Sequence, residues 1–340
     1  MLVIPRRWAL GPALFLLATA AACARGDSLP GAPQPLTDML EIMPAEAVSR
    51  GLYYTDLTSL ADPQAEGFAT VLPLGAQATA GLGFSIENAL QILETGDPAS
   101  ALLRGTWDAE AITQGFESMG YSRDDAGGWL VFRRSGELPP DAPPATVAIP
   151  AAALRGGLLF LGSTHELPAV TGEAVTAMDF EWMARVVRAV GPDAAAIALG
   201  APPASFRVEA ERAGTDVAGL LSQAGMTSPL PEYQGFAVAF SPSDDAATNG
   251  VVALAYAPEA EGKDPALNLA VRINTAHLLG GASSIQGRDA LEGGAPRWIE
   301  GERVVFVPVA WNPFDGTALR DDLRRGKLLF LAPLSEAAPG

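Results

Sequence analysis

The sequence predicts an α+β fold with mixed or mainly antiparallel sheets, packed helices and two related tandem halves. Short apolar runs typical of strands are interspersed with segments in which apolar residues recur at helical spacing. Several predicted strands follow one another directly, which favours antiparallel pairing over a doubly wound parallel sheet. A heptapeptide at 155–161 recurs at 325–331 with one difference, which suggests an internal repeat.

The predicted strands are apolar runs bounded by glycine, proline or polar residues. They cover 51–54, 101–107, 128–133, 158–162, 194–199, 235–240, 250–256, 267–274, 303–310 and 327–331. A proline-rich stretch at 135–150 resists both helix and central strand. We interpret this stretch as a surface loop between two strands of the first half.

Helices are predicted where apolar side chains recur along one face. The segments concerned are 85–95, 108–119, 179–190 and 317–325. In the first of them, Ile86, Leu90 and Leu93 have helical spacing. The second begins at Asp108, a residue type that caps helix N-termini well, and the third places Trp182 within an apolar stripe.

The predicted domain boundaries follow from composition and from the repeat. We expect a signal peptide at 1–22, a tether with a lipidated cysteine at 23–38, and two α+β halves at 40–165 and 175–335. Two twisted sheets related in this way could pack together and share one core. The heptapeptide is short, so coincidence among common residues is the alternative explanation.

The composition excludes several classes of function. Basic residues number 22 against 39 acidic ones in a chain of 340 residues, which gives a net charge of −17. Nucleic acids and anionic membrane surfaces require a basic footprint, so neither is expected as an electrostatic partner. With one cysteine and two histidines, the chain can form neither an internal disulfide nor a cysteine-based zinc cluster, and we expect no cofactor and no metal.

The N-terminus has the layout of an export signal. Arg6 and Arg7 precede an apolar stretch at 8–22, which is too short to cross a bilayer comfortably as a helix. Small residues then lead into Cys23, the single cysteine of the chain, and a loose segment rich in glycine and proline follows. The segment 1–23 resembles the signal peptide and lipobox of bacterial lipoproteins.

This resemblance implies that Cys23 becomes the acylated first residue of the mature protein, anchored to a membrane by palmitate-type chains. Ala24, rather than aspartate, follows the cysteine, which in lipoproteins favours the outer membrane. The alanines before Cys23 also form an acceptable site for ordinary signal peptidase, so simple secretion stays open as the alternative.

Motifs of common enzyme classes are absent from the sequence, including the nucleophile elbow, the Walker A loop and the H-E-x-x-H zinc motif. His165 and Glu166 follow a predicted strand, and we interpret them as a solvated loop pair. His277 could serve as a base for Ser283 or Ser284, although a packed histidine is the more common situation. The tryptophans are expected mainly in the core, with an aromatic-lined ligand pocket as the alternative.

We therefore expect a membrane-anchored extracytoplasmic lipoprotein that binds a protein or a small ligand and is not an enzyme. The membrane is contacted through the lipid on Cys23, and nucleic acid is not expected as a partner. Two alternatives stay open: an envelope hydrolase with a dispersed active site that uses His165 or His277, and a structural scaffold of an envelope complex. The expected location is the periplasmic face of the cell envelope.

Overall fold

The centre of the molecule is one 13-stranded sheet whose paired strands all run antiparallel. It is seen in a computed structural model that describes residues 29–60, 72, 74, 79–96, 99–140, 142–202, 230–242, 249–259, 263–275, 291–311, 316–325, 328 and 331. The strands are β1 (Leu52–Asp56), β2 (Ala89–Thr95), β3 (Ala101–Gly105), β4 (Tyr121–Ala126), β5 (Trp129–Arg134), β6 (Ala151–Arg155), β7 (Leu158–Gly162), β8 (Ala196–Gly200), β9 (Gly235–Phe240), β10 (Gly250–Ala255), β11 (Leu291–Gly293), β12 (Arg297–Ile299) and β13 (Val304–Trp311).

Short helices lie on the two faces of the sheet. The α-helices are α1 (Gln34–Leu40), α2 (Ala109–Ser118), α3 (Pro144–Ala148), α4 (Leu167–Val170), α5 (Glu181–Ala189), α6 (Lys263–Thr275) and α7 (Gly316–Arg324). Turns of 3₁₀ helix occupy Ala45–Arg50, Ala80–Leu82, Ile86–Asn88 and Ala177–Asp179. Within the ranges described above, none of the helices has the length and apolar character needed to cross a membrane.

The strand order shows that the predicted α+β arrangement of packed sheets and helices is wrong. The order is β11-β13-β10-β9-β8-β1-β2-β3-β7-β6-β5-β4, with β12 also paired to β13. The physical reason is the pairing of β1 with β8, in which Leu52 lies opposite Leu199. Because this pair joins the strands of both predicted halves edge to edge, the helices cover the faces of one sheet instead of packing between separate sheets.

One face of the sheet carries a single apolar cluster that extends across both halves. Leu36 and Met39 of α1 and Val186 of α5 pack there against strand residues such as Tyr54 and Ile197, and all five are fully buried. Burying one such side chain contributes roughly 1.5–3 kcal/mol. The amphipathic helices α1 and α5 therefore hold this face closed over its whole width.

The opposite face carries two separate apolar clusters. In one, Leu269 of α6 and Leu319 of α7 cover the strands from β8 to β13. In the other, Ile112 and Phe116 of α2 pack on the outer strands of the first half, and Phe116 stacks on Phe132 with ring centroids 5.0 Å apart. The central strands β1 and β2 pass between these clusters, and this is where the polar residues of the face collect.

The two parts of the sheet share part of their connectivity, although the strands that precede the last one pair differently. In each, three strands form a meander, a helix follows, and the last strand returns beside the third: β7 beside β3, and β13 beside β10. A common origin of the two halves stays a prediction. The heptapeptide does not mark equivalent places, because 155–161 spans the β6–β7 turn and β7, whereas Arg325 follows α7.

Most of the predicted elements are confirmed, and two have the wrong type. The segment 85–95 forms a 3₁₀ turn followed by strand β2, not a helix, and 267–274 lies in helix α6, not in a strand. The predicted strand at 327–331 falls mostly outside the described residues, and neither Leu328 nor Leu331 is in a strand. The proline-rich segment 135–150 connects β5 to β6 and contains the short helix α3.

Candidate functional site

A cleft opens at one end of the central strands, between helix α7 and the ends of β1 and β2. We call it the polar cleft; its enclosed volume is about 10 Å³, close to the space of one water molecule. It is lined by Arg50, Gly51, Tyr53, Glu94, Thr95, Gly96, Arg320, Leu323 and Arg324. These residues bring three guanidinium groups and one carboxylate to the same small volume.

Two glycines allow the elements around the polar cleft to approach one another. Gly51 has a φ of 76°, and a Cβ atom there would lie 2.9 Å from Cγ of Leu323 in α7. A Cβ on Gly96 would lie 2.5 Å from the carbonyl oxygen of Arg50, and the Gly96 N–H donates to the carbonyl of Gly51 at 3.3 Å. Both positions therefore require a residue without a side chain.

The floor of the polar cleft holds a buried pair of opposite charges. The side chains of Glu94 in β2 and Arg320 in α7 are 2% and 8% exposed, and Oε1 lies 3.6 Å from NH1. Asp321 approaches the same guanidinium at 3.7 Å. Both distances exceed those of direct hydrogen bonds, and the buried Nε of Arg320 has no hydrogen-bond partner among the described residues.

A second buried carboxylate, Glu166, lies behind Arg50 and ties the cleft to strands β3 and β7. Its Oε1 accepts hydrogen bonds from Arg50 and from the Ser100 hydroxyl at 2.9 Å. Its Oε2 accepts from the backbone N–H of Ser163 at 2.9 Å and from the Ser163 hydroxyl at 2.7 Å. Thr95, on the cleft wall, is in turn bonded to Ser100.

The surroundings of Glu166 favour its charged form. Burial alone would raise the pKa of this carboxyl, but the hydrogen bonds from the Ser163 backbone, Arg50 and the Ser163 hydroxyl outweigh it, and the pKa lies below its usual value. The Arg50–Glu166 pair is thus ionised at neutral pH. It links the 3₁₀ turn before β1 to the loop after β7, at the base of the polar cleft.

The interpretation of His165 and Glu166 as a solvated loop pair is correct for the histidine and wrong for the glutamate. The side chain of His165 is 60% exposed, whereas that of Glu166 is 1% exposed. Nε2 of His165 lies 2.9 Å from Oε1 of Glu46 and 3.4 Å from the Ser163 hydroxyl. A Ser–His–acid relay uses opposite ring nitrogens for its two partners, so this arrangement does not activate Ser163.

Glu46, His165 and Glu166 also bring possible metal ligands within 4.8 Å of one another. The two oxygens of Glu166 already accept four hydrogen bonds from protein donors. A metal ion would have to displace these donors and separate Glu166 from the Arg50 charge. The cluster is therefore a hydrogen-bonded network rather than a set of ligands arranged for an ion.

Of the other residues singled out from the sequence, Cys23, His277, Ser283 and Ser284 lie outside the described residues. Trp182 is in the core as predicted, at 7% exposure. Trp129 is fully buried, with the Arg155 guanidinium 4.4 Å from its ring centroid. The residues that line the polar cleft include no tryptophan, and sequence reasoning missed its arginines because Arg50 is far along the chain from Arg320 and Arg324.

Comparison with known proteins gives little further information. No protein-family model matches the chain. No curated protein matches it either. Among solved structures, the chain resembles the one described as "Structure of crystal form I of TP0453", with a TM-score of 0.40, 8% sequence identity, and coverage of 84% of this chain and 98% of that one. A similarity at this level supports no conclusion about fold or function.

Proposed function

We propose that this protein is a lipid-anchored binding protein of the cell envelope, held at a membrane outside the cytosol through Cys23. The observation that carries the proposal is the position of the single cysteine, which follows the predicted export signal and stands six residues before Leu29, where packing on the body has begun. A chain of six residues spans at most about 20 Å. An acylated Cys23 would therefore hold the body close to the bilayer surface.

The attachment point on the body is well defined. Leu29 packs against the continuous apolar cluster, and the N–H of Gly31 donates to the carbonyl of Arg188 in α5 at 2.9 Å. Helix α1 then begins at Gln34, so 34–38 of the predicted tether belong to the body. The described chain is therefore joined to the body at a defined place, beside the end of α5.

Acyl chains supply the membrane affinity in this proposal. Each buried methylene contributes about 0.8 kcal/mol, and two chains are sufficient for stable attachment. The body itself carries a strong negative charge, which does not favour adsorption to an anionic surface. We therefore expect membrane association to depend entirely on Cys23.

Fractionation of the full-length protein expressed in a bacterial host tests this proposal. We expect the wild-type protein in the membrane fraction, resistant to high salt, and the Cys23→Ala variant in the soluble envelope fraction. Ala24→Ser, which leaves the cysteine in place, is the matched control and should fractionate like the wild type. Salt-resistant membrane association of Cys23→Ala, or a soluble wild-type protein, would overturn the anchor.

A further inference from the structure

We infer that the polar cleft is a binding site for a compact oxyanion, the carboxylate or phosphate group of a small ligand. This inference deepens the proposed binding function by naming the chemistry of its ligand, and it rests on that function. It depends on the described residues of α7, β1 and β2 alone. The argument concerns two arginines of α7, Arg320 and Arg324.

Arg320 presents a buried charge whose donors are largely uncommitted. Its side chain is only 8% exposed. Its guanidinium nitrogens nevertheless lie 3.6 Å from Glu94 and 3.7 Å from Asp321, which is longer than a hydrogen bond. A guanidinium has five N–H donors, and a buried charge is costly unless it is both paired and hydrogen-bonded. Such a group at the floor of a cleft is suited to an anion that completes its hydrogen bonds.

Arg324 adds a second positive charge on the same side of α7. The two arginines are four residues apart, so they are neighbours on one helix face, and both line the polar cleft. Arg324 is exposed and forms no ion pair with the residues that the structure describes. Like charges at this spacing destabilise a helix slightly, and an anion between them would remove that repulsion.

The rest of the cleft suits a small ligand. Arg50 lies across the cleft from α7 with its charge shared by Glu166, and Leu323 packs directly against Gly51, which keeps the cleft narrow. The enclosed volume of about 10 Å³ accommodates about one water-sized group. One oxygen of a carboxylate or phosphate group fits this space while the rest of the group stays at the mouth of the cleft, whereas a large apolar ligand does not fit.

Calorimetric titration of the mature full chain in detergent tests the inference, with inorganic phosphate and acetate as probes. Arg324→Gln removes one charge at the exposed edge of the cleft and should fold normally, which a thermal melt verifies. We expect Arg324→Gln to weaken binding about ten-fold or more, as loss of a charge-assisted hydrogen bond does. Arg325→Gln is the matched control, because Arg325 is the next residue and does not line the cleft.

A third titration, with dihexanoyl phosphatidic acid, distinguishes a lipid headgroup from a free anion as the natural source. Binding of any probe that is weakened in Arg324→Gln and unchanged in Arg325→Gln supports the site. Absence of binding by all three probes, or equal loss in both variants, overturns it. Repeating the titration with Cys23→Ala separates the proposals: binding by a non-acylated protein supports the cleft even if the anchor proposal fails.

Discussion

The buried carboxylate of Glu166 offers the sharpest test of how the base of the polar cleft is held together. Glu166→Gln keeps the shape of the side chain but removes the negative charge that faces Arg50. The amide nitrogen of the new glutamine replaces one of the two oxygens that accept hydrogen bonds from Ser163 and Ser100. At that position a donor therefore faces another donor. Arg50, whose side chain is 13% exposed, then loses its ion pair with Glu166 while its charge stays mostly buried.

The magnitude follows from this geometry. Removing one partner of a buried ion pair costs about 3–5 kcal/mol, because the remaining charge is left uncompensated. The side chain of Glu166 is 1% exposed, so solvent screens the pair little. We therefore predict that Glu166→Gln lowers the free energy of unfolding by about 3–5 kcal/mol at pH 7.

The assay is urea unfolding followed by tryptophan fluorescence, since the tryptophans are spread through the body. Glu46→Gln is the control: Glu46 is 52% exposed and contacts His165, and an exposed pair contributes at most about 1 kcal/mol. An equal loss of stability in both variants would refute the reasoning that burial and charge, rather than membership of the Glu46–His165–Glu166 cluster, make Glu166 important.

The stability difference between the wild-type protein and Glu166→Gln depends on pH, and the pKa of Glu166 gives the direction of this dependence. The pKa of Glu166 is lowered in the folded state from its ordinary value of 4.5, so the unfolded chain takes up the proton first as the pH falls. The stabilisation of the folded state by ionised Glu166 is complete above pH 4.5. It is lost as the pH decreases through the folded-state pKa of this residue. The stability difference between wild type and Glu166→Gln should therefore be constant from pH 7 to about 5 and shrink in more acidic solution.

Three further predictions concern the body of the protein. Phe116→Ala should lower the free energy of unfolding by about 3–5 kcal/mol, because Phe116 is fully buried between Tyr121 and Phe132; a loss under about 1 kcal/mol in urea unfolding would contradict this packing. Gly83→Ala should destabilise by more than about 1 kcal/mol in a thermal melt, since its Cβ would lie 2.0 Å from the Ala111 carbonyl oxygen at a φ of +78°; an unchanged melting temperature would show that the contact is not made. His165→Ala should change stability by less than about 1 kcal/mol and should abolish no hydrolytic activity in a panel of esters, glycosides and peptides; an activity lost with His165 would establish the hydrolase alternative.

The sequence predicted the strands of the sheet better than their arrangement. Runs such as those of β7 and β9 are recognisable because they are apolar, short and bounded by turn residues. The sequence predicts a helix over strand β2 because this strand is buried on both faces. Ile92 faces one apolar cluster and Leu93 the other, so the alternation that identifies a half-buried strand is absent.

Helix α6 shows the opposite error for a related reason. Leu267, Leu269, Val271 and Ile273 alternate with other residues, which is the pattern of a strand. In the structure, the helix buries Leu269 and Ile273 and leaves Leu267 and Val271 exposed at 49% and 43%. Pro265, close to the start of α6, was the local signal for a helix N-terminus.

The polar cleft could not be located from the sequence. Arg50 and Glu166 are 116 residues apart, and they meet because β1, β2, β3 and β7 are neighbours in the sheet. Glu166 directly follows an exposed histidine, so its local context indicates solvent. Tertiary pairing alone determines that this carboxylate is buried beside Arg50 and that Arg50 meets Arg320 and Arg324 at the polar cleft.

Intact-mass measurement of the mature protein extracted from bacterial envelopes tests the anchored binding protein most directly. The account predicts a chain that begins at Cys23 and carries the added mass of acyl chains on that residue. A mature protein with an unmodified first residue, or one that still begins at Met1, would contradict it.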